Sequence, residues 1–173
     1  MTFTIPVPDR DDPRWTRRGA VLVRSFEGIP RWGVGDTYTI KLTAGQTGGS
    51  LGFIEASVPP GGGPDAHAHG DEDETFYLLD GELEFLNGDE TFTARTGDLV
   101  FVPRGNRHRF KNTGDRTARM VFLFTPGGFE DFFVTAGDEP RPGEEAPVWG
   151  PERYEAIVSG FEKYHVTQLP EDK

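Results

Sequence analysis

The chain has four histidines, and two of them, His67 and His69, lie one residue apart in the stretch GGGPDAHAHGDEDE (61–74). On an extended segment, side chains two positions apart point the same way, so both imidazoles can face one inward point. Glu74 opens the next strand, and His108 follows the stretch PRGNR. If these strands curl together, the four side chains can surround one metal ion. The alternative interpretation is a solvated, Gly-rich polar loop.

The ligand types restrict the metal chemistry. The chain has no cysteine, so nitrogen and oxygen atoms must bind any metal. Imidazole and carboxylate suit one divalent transition metal ion, such as Ni, Fe, Mn, Co, Zn or Cu, and the sequence does not distinguish among these. Four protein ligands leave one or two positions open on a five- or six-coordinate ion, where substrate, dioxygen or water can bind. The neighbouring acids Asp71, Glu72 and Asp73 are expected to be solvated.

Strand signals dominate the segment that must position these groups. The pairs DG (80–81) and NG (87–88) are hairpin turns, and about eight or nine short strands follow one another with no helix between them, which predicts an all-β sandwich or barrel. We expect an N-terminal arm at 1–35, with one short strand at 20–26, and a barrel at 36–133. A C-terminal loop and helix, the helix at 151–165, are expected to pack on the barrel across 134–173.

Composition limits the partners. The 173 residues suit one domain, and the formal charge of −11 disfavours a nucleic acid partner. No apolar run is long enough to span a bilayer, and the first residues, MTFTIPVPDRDDP, lack the basic and apolar segments of a signal peptide. We therefore expect a cytoplasmic protein without a membrane partner.

Two motifs give the chain a resemblance to the cupin superfamily. Residues 61–81 have the form G-x5-H-x-H-x4-E-x6-G, and residues 97–112 have the form G-x5-P-x-G-x2-H-x3-N. Both motifs are complete, and the pair is far more specific than either half. The resemblance implies the cupin double-stranded β-helix, or jelly-roll barrel. It also implies the metal ligands, which fall on His67, His69, Glu74 and His108.

Aromatic residues beside the ligands indicate a pocket. The chain has 14 phenylalanines, and strand alternation turns Phe76 and Phe110 inward beside two ligands. Together with Tyr38 and Phe122 they are expected to bind a small, flat aromatic substrate. The alternative is that these rings only fill a small core, which is the expectation for Phe92 and Phe101.

Two further stretches narrow the resemblance. VFLFTPGGFEDFF (121–133) and KYHVTQLP (163–170) are similar to bacterial single-domain cupins resembling quercetin 2,3-dioxygenase. That resemblance implies a metal-dependent dioxygenase that cleaves a flavonol or a similar phenol with dioxygen, Glu74 being the catalytic group that accepts the substrate proton. It also fits a homodimer in which an N-terminal arm pairs with the neighbouring subunit's sheet edge.

Two other functions remain open. One is a cupin cyclase, isomerase or oxygenase acting on an aromatic polyketide, with the metal as a Lewis acid. The other is a non-enzymatic cupin that binds a small molecule. Consumption of oxygen would separate the first from the dioxygenase, and ligand binding by metal-free protein would favour the second.

Overall fold

A computed structural model describes residues 19–171 of the chain. This region contains eleven strands. They are β1 (Ile29–Gly33), β2 (Asp36–Leu42), β3 (Gly52–Val58), β4 (His67–His69), β5 (Asp73–Asp80), β6 (Glu82–Asn87), β7 (Glu90–Arg95), β8 (Leu99–Val102), β9 (His108–Lys111), β10 (Ala118–Thr125) and β11 (Val166–Gln168). The helices are α1 (Ala44–Thr47), α2 (Glu130–Ala136), α3 (Pro151–Val158) and a 3₁₀ helix at Phe161–Tyr164.

The strands form two antiparallel sheets. The larger has the order β1-β2-β3-β10-β5-β8, and the smaller has the order β11-β4-β9-β6-β7. Neighbours in these orders are often distant in the chain, as in β3 beside β10, which is typical of a jelly roll and unlike a simple meander. The predicted all-β jelly roll with a C-terminal helix is therefore confirmed.

Strict alternation of side chains builds the core between the sheets. In β3 every second residue from Gly52 to Val58 is buried, and in β10 the buried positions are Ala118, Met120, Phe122 and Phe124. Because successive strand residues face opposite sides, the apolar set on each strand turns to one side together. The sequence pattern alone accounts for this part of the fold.

The start and the end of the chain differ from the prediction. Residues 20–26 form no strand, and their apolar side chains, including Leu22 and Phe26, are exposed. The first strand is β1, which pairs with β2 through a tight turn at Val34 and Gly35, both with positive φ. The predicted C-terminal helix stops at Val158, and the 3₁₀ helix follows after Gly160, where the absence of a side chain weakens helical propagation.

Two phenylalanines expected to fill the core are exposed instead. Phe101 occupies an outward position of β8 in the larger sheet. Phe92, on β7 of the smaller sheet, shares the inward face of Ala94 and stacks on the buried Phe85 with centroids 5.8 Å apart, but 42% of it stays exposed. Phe101 lies near the exposed Tyr77 and Leu99, which face each other across β5 and β8. Exposed apolar groups of this kind are typical of contact surfaces. The expected homodimer stays a prediction.

None of the helices within residues 19–171 has the length and apolar character needed to cross a membrane. The longest of them, α3, has eight residues. The cytoplasmic location stays a prediction.

One buried amide joins two loops at an end of the barrel. Asn112 is almost fully buried, and its Nδ2 donates to the carbonyl oxygens of Val58 and Arg116, each at 2.8 Å. Its Oδ1 accepts from the backbone N–H of Gly114 at 3.0 Å. One side chain therefore satisfies three backbone groups that no regular ladder provides for.

Replacing this amide should destabilise the fold. Asn112→Ala should lower the free energy of unfolding by about 3 kcal/mol, because it leaves backbone groups without partners in a buried place. Urea denaturation measures this change. Asn87→Ala is the matched control, since that exposed amide has one side-chain hydrogen bond, with Asn106, and its loss should cost about 0.5 kcal/mol. Equal losses in the two variants would contradict the prediction.

Candidate metal centre

Four side chains from three strands meet between the sheets. Strand β4 carries His67 and His69. The one position at which β4 pairs with β9 places His67 opposite His108. Glu74 reaches the same place from β5, where it lies opposite Phe124 of β10 and Val102 of β8. The pairing of β4 with β9 thus decides which histidine joins the two that are adjacent in sequence.

The four groups are close enough for one ion. One ligand atom from each of the four residues lies within 4.8 Å of the others. The Nε2 of His108 is 2.9 Å from Oε2 of Glu74, and the Nε2 of His69 is 3.5 Å from the same oxygen. Ligand atoms about 2.1 Å from a shared ion lie about 3 to 4 Å apart, so only small movements separate this arrangement from a coordination shell.

Backbone carbonyls orient two of the imidazoles. The Nδ1 of His67 is 2.8 Å from the carbonyl oxygen of Asp65, and the Nδ1 of His108 is 3.0 Å from that of Asn106. Each Nδ1–H therefore donates to a carbonyl, so Nε2 is the nitrogen of each ring that faces the other ligands, and in His108 it is hydrogen-bonded to Glu74. This tautomer is the one in which Nε2 can bind a metal.

The electrostatics keep two of the histidines neutral. Burial lowers the pKa of His67 to about 3 and that of His69 to about 2, with the neighbouring imidazoles adding to the effect. Burial also raises the pKa of Glu74, although the hydrogen bond and charge of His108 work against this. For His108, burial acts to lower the pKa, but its bond to Glu74 outweighs burial and the pKa is raised. Without metal, Glu74 and His108 therefore share a proton.

Buried polar atoms without partners show that these residues fit a cation. Within residues 19–171, neither ring nitrogen of the buried His69 has a hydrogen-bond partner. Buried polar atoms are almost always satisfied, so such exceptions indicate a missing ion or water. A divalent ion would complete His69 and neutralise Glu74 at the same time. Metal binding itself stays a prediction.

The prediction that Glu72 is solvated is wrong. Glu72 is buried, and its Oε2 lies 3.8 Å from the Nδ1 of His69, on the side of the ring away from Glu74. Burial, with the charge of Asp71, raises the pKa of Glu72 to about 7. Asp71 and Asp73 lie on the surface side. Oδ2 of Asp71 is 2.6 Å from Nδ1 of His165, and Oδ1 of Asp73 is 3.0 Å from Nε of Arg104.

The cavity beside the four ligands is aromatic. Tyr38, Phe76, Phe110 and Phe122, the four residues expected to bind substrate, all line it. Phe76 and Phe122 stack with their centroids 5.7 Å apart, and Tyr38 meets the edge of Phe122 at 6.1 Å. The structure thus joins the metal ligands and the predicted pocket residues in one space. Contact of these residues with a substrate stays a prediction.

The C-terminal part of the chain, which was expected to pack on the barrel, lines this cavity, but none of its residues was predicted to belong to the site. Trp149, Tyr154 of α3 and Phe133 of α2 line the cavity together with the barrel residues. The hydroxyl of Tyr154 donates to the carboxylate of Asp65 at 2.8 Å, which ties α3 to the loop before His67. The aromatic run FEDFF (129–133) and the apolar face of α3 were visible in the sequence. The sequence did not show that these residues line the cavity beside the metal ligands.

The closed cavity has a volume of about 80 Å³. Pockets that enclose drug-sized ligands have about 300–1,000 Å³. The cavity is therefore smaller than a substrate with several rings.

The fold matches solved structures at low sequence identity. A predicted oxalate decarboxylase from Thermotoga maritima superposes with a TM-score of 0.58 at 24% identity, covering 61% of this chain and 99% of that one. This similarity concerns the fold alone.

Sequence comparison finds nearer relatives. Tetracenomycin polyketide synthase protein TcmJ of Streptomyces glaucescens is 40% identical over 105 residues, which cover 60% of this chain and 68% of TcmJ. Polyketide synthase CurC of Streptomyces cyaneus is 38% identical over 94 residues, 53% of this chain and 60% of CurC. Quercetin 2,3-dioxygenase of Bacillus subtilis is 32% identical over 109 residues, 62% of this chain and 32% of that protein.

A family model described as a cupin domain matches residues 54–124, which hold both motifs and all four converging ligands. The jelly roll and the extent of the match to TcmJ agree with this assignment. The chain belongs to the cupin superfamily.

Proposed function

We propose that this cupin is a metal-dependent enzyme that promotes ring formation in an aromatic polyketide intermediate. The observation that carries the proposal is the meeting of three imidazoles and one carboxylate on the wall of an aromatic cavity. The similarity to TcmJ and CurC, both described as polyketide synthase proteins, supports this substrate class over a flavonol.

The residues suit a carbonyl substrate. His67, His69, Glu74 and His108 would hold one divalent ion, which when bound supplies a Lewis acid for a carbonyl oxygen. Glu74 is buried on the cavity wall, and the ion that it would bind also makes the carbon next to a bound carbonyl more acidic, so that this carboxylate can take up a proton from that carbon. Its Oε2 would accept the proton from the carbon next to that carbonyl, so that the carbon can attack a second carbonyl.

The aromatic wall orients the chain that must cyclise. Phe76, Phe110 and Phe122 are buried and pack against one another, so they present rigid surfaces to a flat substrate. Because few polar groups line this wall, it also keeps water from an enolate. By holding the reacting carbons close together, the wall reduces the entropy that the substrate must lose to reach the geometry of ring closure.

A flavonol dioxygenase is the second candidate. The 32% identity to quercetin 2,3-dioxygenase favours it, and the same four ligands and aromatic wall suit a phenolic substrate. The two candidates differ in stoichiometry, since ring closure between two carbonyl groups needs no oxidant.

Oxygen uptake should distinguish these candidates. The metal-loaded protein should convert an aromatic polyketide intermediate without consuming dioxygen, and it should leave flavonols unchanged. An oxygen electrode together with mass spectrometry of the products measures both. Consumption of one dioxygen per flavonol cleaved would replace the first candidate by the second, and binding of either ligand by metal-free protein without turnover would favour a non-enzymatic role.

The ligand variants should separate Glu74 from Glu72. His69→Ala and Glu74→Ala should remove metal and reduce turnover to background, because each deletes a ligand. Glu72→Ala should weaken metal affinity about 10-fold, since its carboxylate supports His69 only from the outer side. Metal analysis after dialysis and equilibrium titration with Ni²⁺ give these values. If Glu72→Ala loses its metal and Glu74→Ala retains it, the assignment of the acid is wrong.

Metal binding should release a proton. The Glu74–His108 pair holds one proton without metal, so binding of Ni²⁺ at about pH 7 should release about one proton per ion. The number should fall towards zero at higher pH, where the pair has already lost it. Calorimetry in buffers of different ionisation enthalpy gives the count, and the exposed His165→Ala is a control that should leave it unchanged. Release of no proton below pH 7 would contradict the shared proton.

A further inference from the structure

A second buried polar pair lies at the cavity, apart from the metal ligands. Asp36 and Tyr38 are two residues apart on β2 and face the same side, and both are buried. The hydroxyl of Tyr38 donates to Oδ2 of Asp36 at 2.9 Å. The other oxygen, Oδ1, makes no well-aligned hydrogen bond within the described residues, although the backbone N–H of Gly63 lies close enough to the carboxyl group to act against the rise in its pKa. A buried carboxyl group that is only half satisfied costs stability.

The glycine run before the histidines makes room for this carboxyl group. Gly62 lies so close to Oδ1 of Asp36 that a side chain at this position would collide with it. Gly63 has a φ of +124°, and a side chain there would meet the backbone of Phe110. Gly62 thus packs directly against the buried Asp36 carboxyl group.

The pair reaches the cavity through Tyr38. Tyr38 lines the cavity and Asp36 lies behind it. In sheet register, Tyr38 lies opposite Ala56, whose partner in β10 is Met120, whereas Glu74 lies opposite Phe124. Met120 and Phe124 are four residues apart on β10. The backbone of Tyr38 therefore lies two inward-facing positions from that of Glu74, with one such position between them. The aromatic wall of Phe76 and Phe122 occupies the level between them.

This arrangement gives the cavity two polar ends and an aromatic middle. We propose that Asp36 and Tyr38 form a proton-donating site for a substrate carbonyl oxygen distant from the metal, with Tyr38 as the donor and Asp36 as its proton supply. The proposal rests on the ring-forming function above and names the groups that act at the second carbonyl.

The hydrogen bond between the two residues can run in either direction. When Asp36 is ionised, Tyr38 must donate to it, and the phenolic proton is not free. When Asp36 is protonated, its own O–H can donate to the Tyr38 oxygen, and the phenolic proton can turn to the substrate. Burial raises the pKa of Asp36 to about 7, so the protonated form is populated at neutral pH.

The proton balance closes without another reactant. A carbon that has lost its proton to Glu74 attacks the distant carbonyl carbon, and a carbon–carbon bond forms. The electron pair of that carbonyl moves to its oxygen, which takes the phenolic proton of Tyr38, and Tyr38 takes the proton of Asp36. The proton on Glu74 leaves to solvent and Asp36 regains one from solvent, so the reaction is an isomerisation.

Among the charged groups around this pair, Asp36 is the one whose protonation sets the response to pH. Burial is the main cause that keeps the pKa of Tyr38 well above its ordinary value, and the charges of Asp36 and Glu74 add to it. Arg31 of β1 lies opposite Tyr38, but its guanidinium donates to the carbonyls of Val134 and Pro30. From β3, β10 and α2 the facing residues are uncharged, namely Ala56, Phe122 and Phe133.

The stability of the metal-free protein tests the state of Asp36. A carboxyl pKa that is higher in the folded than in the unfolded chain stabilises the fold at low pH, and this contribution is lost as pH rises from about 4 to about 7. The Tm of the wild type should therefore fall relative to that of Asp36→Asn over this range and then stay level. The exposed Asp80→Asn is the control and should show no such trend. A constant difference between wild type and Asp36→Asn would overturn the proposal.

Kinetics of the metal-loaded protein test the donor. Tyr38→Phe should reduce kcat by about 100-fold with a smaller change in KM, because loss of a general acid affects the transition state most. The exposed Tyr77→Phe should retain full activity. In Asp36→Asn the decline of kcat above about pH 7 should disappear. Unchanged kcat in Tyr38→Phe, or an unchanged alkaline decline in Asp36→Asn, would overturn the proposal.

A double variant distinguishes loss of the proton-donating pair from general damage to the fold. Tyr38→Phe with Asp36→Asn removes the carboxylate together with its donor, and its kcat should equal that of Tyr38→Phe alone, since the two residues act as one unit. Additive losses would argue against a unit. If Tyr38→Phe keeps its activity while His69→Ala is inactive, this inference fails and the proposed function stands. If no polyketide is converted at all, the stability measurement still decides the state of Asp36.

Discussion

The structure depends on a single unfavourable arrangement: four ligand groups held together away from water. His69, His108 and Glu74 are each about 5% exposed or less. His67 and His69 stay neutral, and Glu74 shares a proton with His108. Such a cluster destabilises the fold, and a bound cation would relieve this cost by taking the place of the shared proton. The surrounding sheets must therefore be stable enough to impose it.

The jelly roll supplies that stability far from the ligands. The inward residues of β3, β5 and β10 form a continuous apolar layer, and Asn112 secures the loops at one end. Because the rigid layer lies beneath the site, the ligands can lie on short segments, such as the three residues of β4. The same layer gives the cavity its aromatic wall. Packing and chemistry thus use the same phenylalanines, which explains why a core residue and a pocket residue look alike in the sequence.

The cavity also depends on the C-terminal segment. Tyr154 contacts Asp65, whose carbonyl orients His67, so the cover and the first ligand share a loop. Arg107 and Arg109 hold the last described residues against the smaller sheet, through the carbonyl of Leu169 and the carboxylate of Glu171. The Tyr154–Asp65 hydrogen bond therefore connects α3 to the loop that orients His67.

Much of the site was predictable from spacing alone. His67 and His69 alternate on one strand, and the two complete motifs indicate Glu74 and His108, which the structure brings to the same place. Burial of Glu72 was not predictable, because three acids in a row look alike and only the path of the chain past His69 turns one of them inward. The exposure of Phe101 was missed for a similar reason, since aromatic residues favour strands on either face.

The sequence by itself determined the strand alternation and the hairpin turns, because these follow from local periodicity and residue type, and its two motifs carried the resemblance that implied the four candidate ligands. The tertiary structure alone decided the pairing of β4 with β9, the contact of α3 with the loop before His67 and the burial of Asp36 against Gly62. These features join residues that are distant in the chain, so no local pattern encodes them. Whether a carboxyl group is solvated, orients a ligand or holds a proton depends on what other segments place around it.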